Sequence, residues 1–88
     1  MRERIDENTV GMLGDVSVPM ANVTTSYHFE LPNGALGQGP ACLLILPDRQ
    51  RWVGVGSEVR VGGATWRVVA IDAPEQELGS VTLARLPD

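Results

Sequence analysis

The C-terminal third of the chain carries the pattern that most constrains its fold. Residues 57–86 read as two short strands joined by Gly62-Gly63, then a polar loop and a third strand. Two glycines suit a two-residue hairpin loop, whose positions often need positive φ. The register that this loop predicts pairs Glu58 with Arg67, Val59 with Trp66, Arg60 with Thr65 and Val61 with Ala64. That register puts apolar side chains on one face and polar ones on the other, so the segment predicts an all-β protein with Trp66 in its core.

The rest of the chain also favours strands. Residues 22–31 alternate over ten positions, which predicts a half-buried strand with Val23, Thr25, Tyr27, Phe29 and Leu31 pointing to the core. Residues 41–46 and 68–71 are apolar runs, which predicts strands buried on both faces. No long helix-period segment occurs. We therefore expect a small five- to six-stranded SH3-like or OB-like barrel, with a compact β-sandwich as the second choice.

Polarity and length predict how the chain is organised. Residues 1–9 are mostly polar or charged and show no period, so we expect a flexible N-terminal arm, followed by a single small β-domain over residues 10–88. Cys42 is the one cysteine and lies in an apolar run, which predicts a buried thiol without a disulfide. No signal peptide is recognisable and no apolar run could span a membrane, so the expected location is the cytoplasm.

Charge argues against two classes of partner. The chain carries seven basic and eleven acidic residues, for a net charge of -4 at pH 7. Such a balance disfavours non-specific binding to nucleic acid and to anionic membranes, both of which reward basic surfaces. Every basic residue is arginine, as codon bias in a GC-rich genome would produce.

The C-terminal hairpin and the strand after it resemble a family at the level of the fold. The residues that carry the likeness are Gly56, Val59, Val61, Gly62, Trp66, Val68 and residues 81–83. They resemble the corresponding part of many SH3-like barrels, and the whole chain looks like small uncharacterised β-proteins of actinobacteria and their phages. Because these residues are structural, the resemblance implies a fold and no activity.

Enzymatic chemistry finds little support in the sequence. Ser26, His28 and Glu30 are residue types of a hydrolytic triad, but on one strand they stand side by side roughly 6–7 Å apart, not in a hydrogen-bonded series. His28 and Glu30 supply two metal ligands where three or four are usual. Cys42 in an apolar strand lacks the electropositive, exposed setting of a reactive thiol. We expect a non-enzyme with no catalytic residue, metal or cofactor.

A binding surface is the stronger expectation. Arg49, Arg51 and Trp52 form an aromatic–arginine group of the kind found at binding hot spots, and His28 and Glu30 are the other candidates for an interaction surface. The alternative is that Trp52 caps the core and the arginines are solvated.

These observations predict a protein-interaction module, such as a small adaptor, regulator, immunity-type protein or phage assembly component. A symmetric homodimer through an exposed edge strand is also expected. One alternative is a nucleic-acid-binding barrel, which would need Arg49, Arg51, Trp52, Arg60 and Arg67 on one face. Another is a small hydrolase or metal protein that uses His28.

Overall fold

The structure, a computed structural model, describes residues 1–87, which form eight antiparallel strands and no helix. The strands, in chain order, are β1 (Arg2–Asp6), β2 (Thr9–Leu13), β3 (Val16–Glu30), β4 (Leu36–Ile45), β5 (Gln50–Gly54), β6 (Glu58–Val61), β7 (Ala64–Asp72) and β8 (Ser80–Arg85). They make two four-stranded sheets, in the orders β1-β8-β7-β6 and β2-β3-β4-β5. The all-β class is confirmed. The strand number is eight where five to six were expected, and the two sheets do not close into a barrel.

The β6–β7 hairpin has the predicted register at all four pairs, from Glu58 opposite Arg67 to Val61 opposite Ala64. Gly62 and Gly63 have φ values of 60° and 79°, the conformation that a two-residue hairpin loop requires. Arg67 Nη2 lies 2.9 Å from Glu58 Oε2 on the solvent face of this hairpin. Local turn chemistry therefore determines this element.

One core lies between the two sheets. Its largest fully buried side chains include Trp66, Leu83 and Ile5 from one sheet and Met20 and Leu44 from the other. The predictions that Trp66 belongs to the core and that Cys42 is buried are confirmed. Sheets packed face to face in this way bury alternate residues of each strand and leave the others on two outer faces.

The N-terminal segment is part of this domain, which corrects the expectation of a flexible arm over residues 1–9. Strand β1 pairs with β8 over five residues, from Arg2 opposite Ala84 to Asp6 opposite Ser80. Ile5 is 1% exposed and belongs to the core. The segment is ordered because its backbone pairs with the edge of β8 and because Ile5 fills the space between the sheets.

Strand β3 is longer and less regular than its alternation suggests. It runs through Asn22, which has a φ of 54°, and its pairing with β4 shifts between Ala21 and Thr24 and again between Thr24 and Tyr27. These irregularities change which side each residue faces. Tyr27, expected in the core, is 46% exposed, whereas Phe29 is buried outside the main core cluster.

The two apolar runs are also less buried than predicted. In residues 41–46 the even-numbered positions are buried, while Leu43 and Ile45 are half-buried on the outer face. In residues 68–71 the pairing of β7 with β8 shifts after Val68, and Ala70 is exposed.

Candidate interaction surface

Strand β5 separates the residues that the sequence had suggested as one patch. Val53 is buried in the core and pairs with Cys42, whereas Trp52 pairs with Leu43 on the opposite, outer side. Arg51 points to the other side from Trp52 and its Nη1 donates a hydrogen bond to the carbonyl oxygen of Glu58 at 2.8 Å. Arg51 therefore links the two sheets at the junction of β5 and β6.

Arg49, His28 and Glu30 lie elsewhere. Arg49 is exposed in the turn between β4 and β5. His28 and Glu30 are exposed on β3 and alternate with Tyr27 and Phe29, and the ring centroids of His28 and Tyr27 are 6.4 Å apart. The structure thus connects His28 to Trp52 only through the ring of Tyr27, which neighbours both.

The arginines of the nucleic-acid hypothesis do not gather on one face. Arg67 is paired with Glu58, and Arg60 contacts Thr65 and the carbonyl of Gly63, all on the outer side of the β1-β8-β7-β6 sheet. Trp52 lies on the outer side of the other sheet. The aromatic and basic groups that would form a stacking platform are therefore on different sides of the molecule.

Among residues with catalytic chemistry, Ser26, His28 and Glu30 are exposed on β3, whereas Cys42 is buried. Within residues 1–87 no group of three or more His, Cys, Asp or Glu side chains could hold a metal ion. Burial raises the pKa of the Cys42 thiol to about 12, and the nearby Glu7 carboxylate acts in the same direction. A thiol with that pKa is protonated at neutral pH and is a poor nucleophile.

A surface depression of about 670 Å³ is lined mainly by β1 and the loop before β8, and includes Glu7. Both oxygens of the Glu7 carboxylate already accept hydrogen bonds from backbone N–H groups, that of Gly79 at 2.9 Å and that of Val23 at 3.1 Å. This carboxylate connects three segments of the fold, which accounts for its position.

The outer side of the β2-β3-β4-β5 sheet is mostly apolar. We call it the outer face; its apolar residues are Val10, Met12, Pro19, Ala21, Tyr27, Leu43, Ile45 and Trp52, and its polar residues are Ser17, Thr24 and Gln50. Cross-strand pairs connect it, with Val10 opposite Pro19, Ala21 opposite Leu43 and Leu43 opposite Trp52. Val10 is 62% exposed and Met12 44% exposed. These side chains form a continuous surface across all four strands.

Two aromatic rings stand at one end of the outer face. The ring centroids of Tyr27 and Trp52 are 4.4 Å apart, with an interplanar angle of 37°. Between them, β4 presents the small residues Gly39 and Ala41 to the same side, which leaves room for the rings to meet. Trp52 is half-buried and Tyr27 remains exposed. Trp52 is therefore neither a core residue nor fully solvated, and it packs on the surface of the sheet.

The two sheets differ sharply in charge. Strands β2 to β5 contain two charged residues, Glu30 and Arg51, and both point away from the outer face. The opposite sheet carries charged side chains on every strand, including the Arg4–Asp6 and Arg67–Glu58 pairs on its solvent side. Solvent-facing strands normally alternate apolar and charged residues, so the outer face lacks the charged side chains of an ordinary exposed sheet.

Sequence reasoning identified Trp52 in this surface and missed the rest. The available signal was the lack of charged residues in 9–13 and in 36–45, together with alternation in which both sets of positions are apolar. For residues 41–46 the apolar run was interpreted as burial on both faces, because one sequence does not say how many layers cover a sheet.

A protein-family model matches part of this chain. No curated protein and no solved structure matches the chain. No helix in the described part of the chain is long and apolar enough to cross a membrane. The matching family model covers residues 38–87, which run from within β4 to just beyond β8. Since that segment is more than half of the chain, the protein belongs to DUF6406, a family of unknown function.

Proposed function

We propose that this protein is a non-enzymatic interaction module that binds a protein partner through the outer face. The observation that carries the proposal is a mostly apolar, charge-free side of a four-stranded sheet, exposed at Val10, Met12 and Tyr27. Contiguous apolar patches of this kind on soluble proteins mark binding sites. The stacked Tyr27 and Trp52 rings supply the aromatic anchors that dominate interface energetics.

The roles that fit such a module are those of a small adaptor, regulator, immunity-type protein or phage assembly component. We place it in the cytoplasm on the basis of its sequence. A distant relationship to SH3-like barrels is likewise a proposal, supported by the β6–β7 hairpin and the strand that follows it. None of the roles requires a cofactor.

A matched pair of substitutions tests the proposal. Val10 lies on the outer face, in the edge strand β2. Leu36 is 71% exposed at the start of β4, on the side of the sheet that points away from the outer face. Val10→Arg and Leu36→Arg change the net charge equally and both place the new charge in solvent, so both should fold. Only Val10→Arg would bring an unpaired charge into a contact made by the outer face.

The measurement is quantitative capture from a nuclease-treated lysate of the source organism with wild-type, Val10→Arg and Leu36→Arg baits. We expect a protein that wild type and Leu36→Arg retain and that Val10→Arg loses, with circular dichroism showing the same fold for all three baits. Equal capture by all three baits would contradict binding through the outer face.

A further inference from the structure

We infer that the partner of the outer face is a second copy of this chain, in a symmetric sheet-on-sheet dimer. The inference rests on the proposed function and names the occupant of the same surface. Three features of the structure support it: the charge distribution, the arrangement of side chains across the face, and the dimensions of the face.

Charge distribution favours contact between two copies at this place. Each copy carries a net charge of -4, so two copies repel each other at long range. The outer face itself bears no charged side chain, whereas the solvent side of the other sheet carries the Arg4–Asp6 and Arg67–Glu58 pairs. Two outer faces can therefore meet without desolvating an ion, a cost that contact through the charged sheet would incur.

The arrangement of side chains suits two-fold symmetry. The aromatic pair extends from the middle of the sheet to β5, at one edge, and Val10 and Met12 lie on β2, at the other edge. A two-fold axis in the interface, running along the strand direction, places β2 of one copy over β5 of its partner. Trp52 lies in the row of Ala21 and Leu43, one outward row of about 6.7 Å from the row of Val10 and Pro19, so the indole of each copy reaches Val10 of the other.

The dimensions of the face suggest a reversible dimer. Strands spaced about 4.8 Å apart carry between two and five outward residues each, at intervals of about 6.7 Å, which gives a face of roughly 400 Å². Two such faces bury roughly 800 Å², which is the size of a weak, transient interface. We therefore expect a monomer–dimer equilibrium that shifts with protein concentration.

Sedimentation velocity over a range of protein concentrations tests the inference. We expect the wild type to shift from monomer to dimer as its concentration rises, and Leu36→Arg to behave in the same way. Val10→Arg and Met12→Arg should weaken dimerisation by roughly tenfold or more, because each buries an unpaired charge in the interface. Dimerisation that all variants share would place the contact on another surface and overturn the inference.

A wild type that stays monomeric at every concentration would also overturn it. That result is distinguishable from failure of the proposed function. If the wild type is monomeric and Val10→Arg still loses a captured protein, the outer face binds a different partner. If nothing is captured and nothing dimerises, both proposals fail.

Discussion

Burial decides the chemistry of Cys42. Its side chain is fully enclosed in β4, and desolvation of the thiolate, helped by the Glu7 carboxylate, raises its pKa to about 12 from an ordinary value of 9.0. The folded protein therefore holds the proton of this thiol more tightly than the unfolded chain does. A cysteine thiol can act as a nucleophile in a peptide, but in this protein Cys42 serves as a small core residue.

This raised pKa predicts a fall in stability at alkaline pH. Below about pH 9 the thiol is protonated in both states, so its contribution is constant. Between about pH 9 and pH 12 the unfolded chain loses the proton and the folded protein keeps it, so the free energy of unfolding decreases by up to about 1.4 kcal/mol per pH unit.

Urea denaturation of wild type and Cys42→Ala from neutral pH to about pH 10.5 isolates this effect. The variant leaves a small cavity whose cost does not depend on pH, so the comparison concerns the slope and not the level. The wild type should lose stability more steeply above pH 9. Parallel curves for the two proteins would contradict a strongly raised pKa.

At the scale of elements, two glycines and the hydroxyl group of Ser57 stabilise the end of the β3–β4 hairpin that lies next to its turn. The ring of Phe29 fills the space that side chains on Gly37 and Gly54 would occupy. Ser57 is fully buried; its hydroxyl donates to the carbonyl of Glu30 at 2.8 Å and accepts from the N–H of Gly54 at 3.1 Å. One side chain thus connects the end of β3, the end of β5 and the start of β6.

Ser57→Ala should therefore be costly for so small a change. It leaves the carbonyl of Glu30 and the N–H of Gly54 without the hydroxyl partner, and an unsatisfied buried polar group costs about 1–3 kcal/mol. Denaturant midpoints measure the loss. Ser26→Ala is the matched control, because Ser26 is exposed and its hydroxyl makes one long contact, to Gln38 at 3.4 Å. An equal, small effect for both variants would mean that Ser57 does not connect these strands.

The elements also show which parts of the fold a sequence can predict. The β6–β7 hairpin was predictable pair by pair, because Gly62-Gly63 and the alternation around it are adjacent in sequence. The face of β3 was not, because Asn22 has a positive φ and the register shifts on either side of Thr24 depend on pairing with β4. Trp52 could be recognised as a candidate contact, but its neighbours on the outer face come from three other strands.

At the scale of the whole molecule, the chain forms a meander whose last strand returns to the first. Each sheet joins strands that are consecutive in sequence, except that β8 pairs with β1. The N-terminal strand is therefore an edge that completes one sheet and covers one side of the core. Its sequence, with one apolar residue among four charged ones, gives little local indication of a strand, since the space for Ile5 is created by residues far along the chain.

That placement predicts a large effect of a single substitution near the N-terminus. Ile5→Ala should lower the free energy of unfolding by about 2–5 kcal/mol, because it leaves a cavity between the sheets. A domain of this size has about 5–15 kcal/mol in total, so a thermal melt should shift strongly. Arg4→Ala, one residue away, removes an exposed side chain whose pairing with Asp6 is solvated, and should change stability by no more than about 0.5 kcal/mol. If Ile5→Ala melted like Arg4→Ala, the first residues would be a flexible arm in solution, and β1 would contribute nothing to the fold.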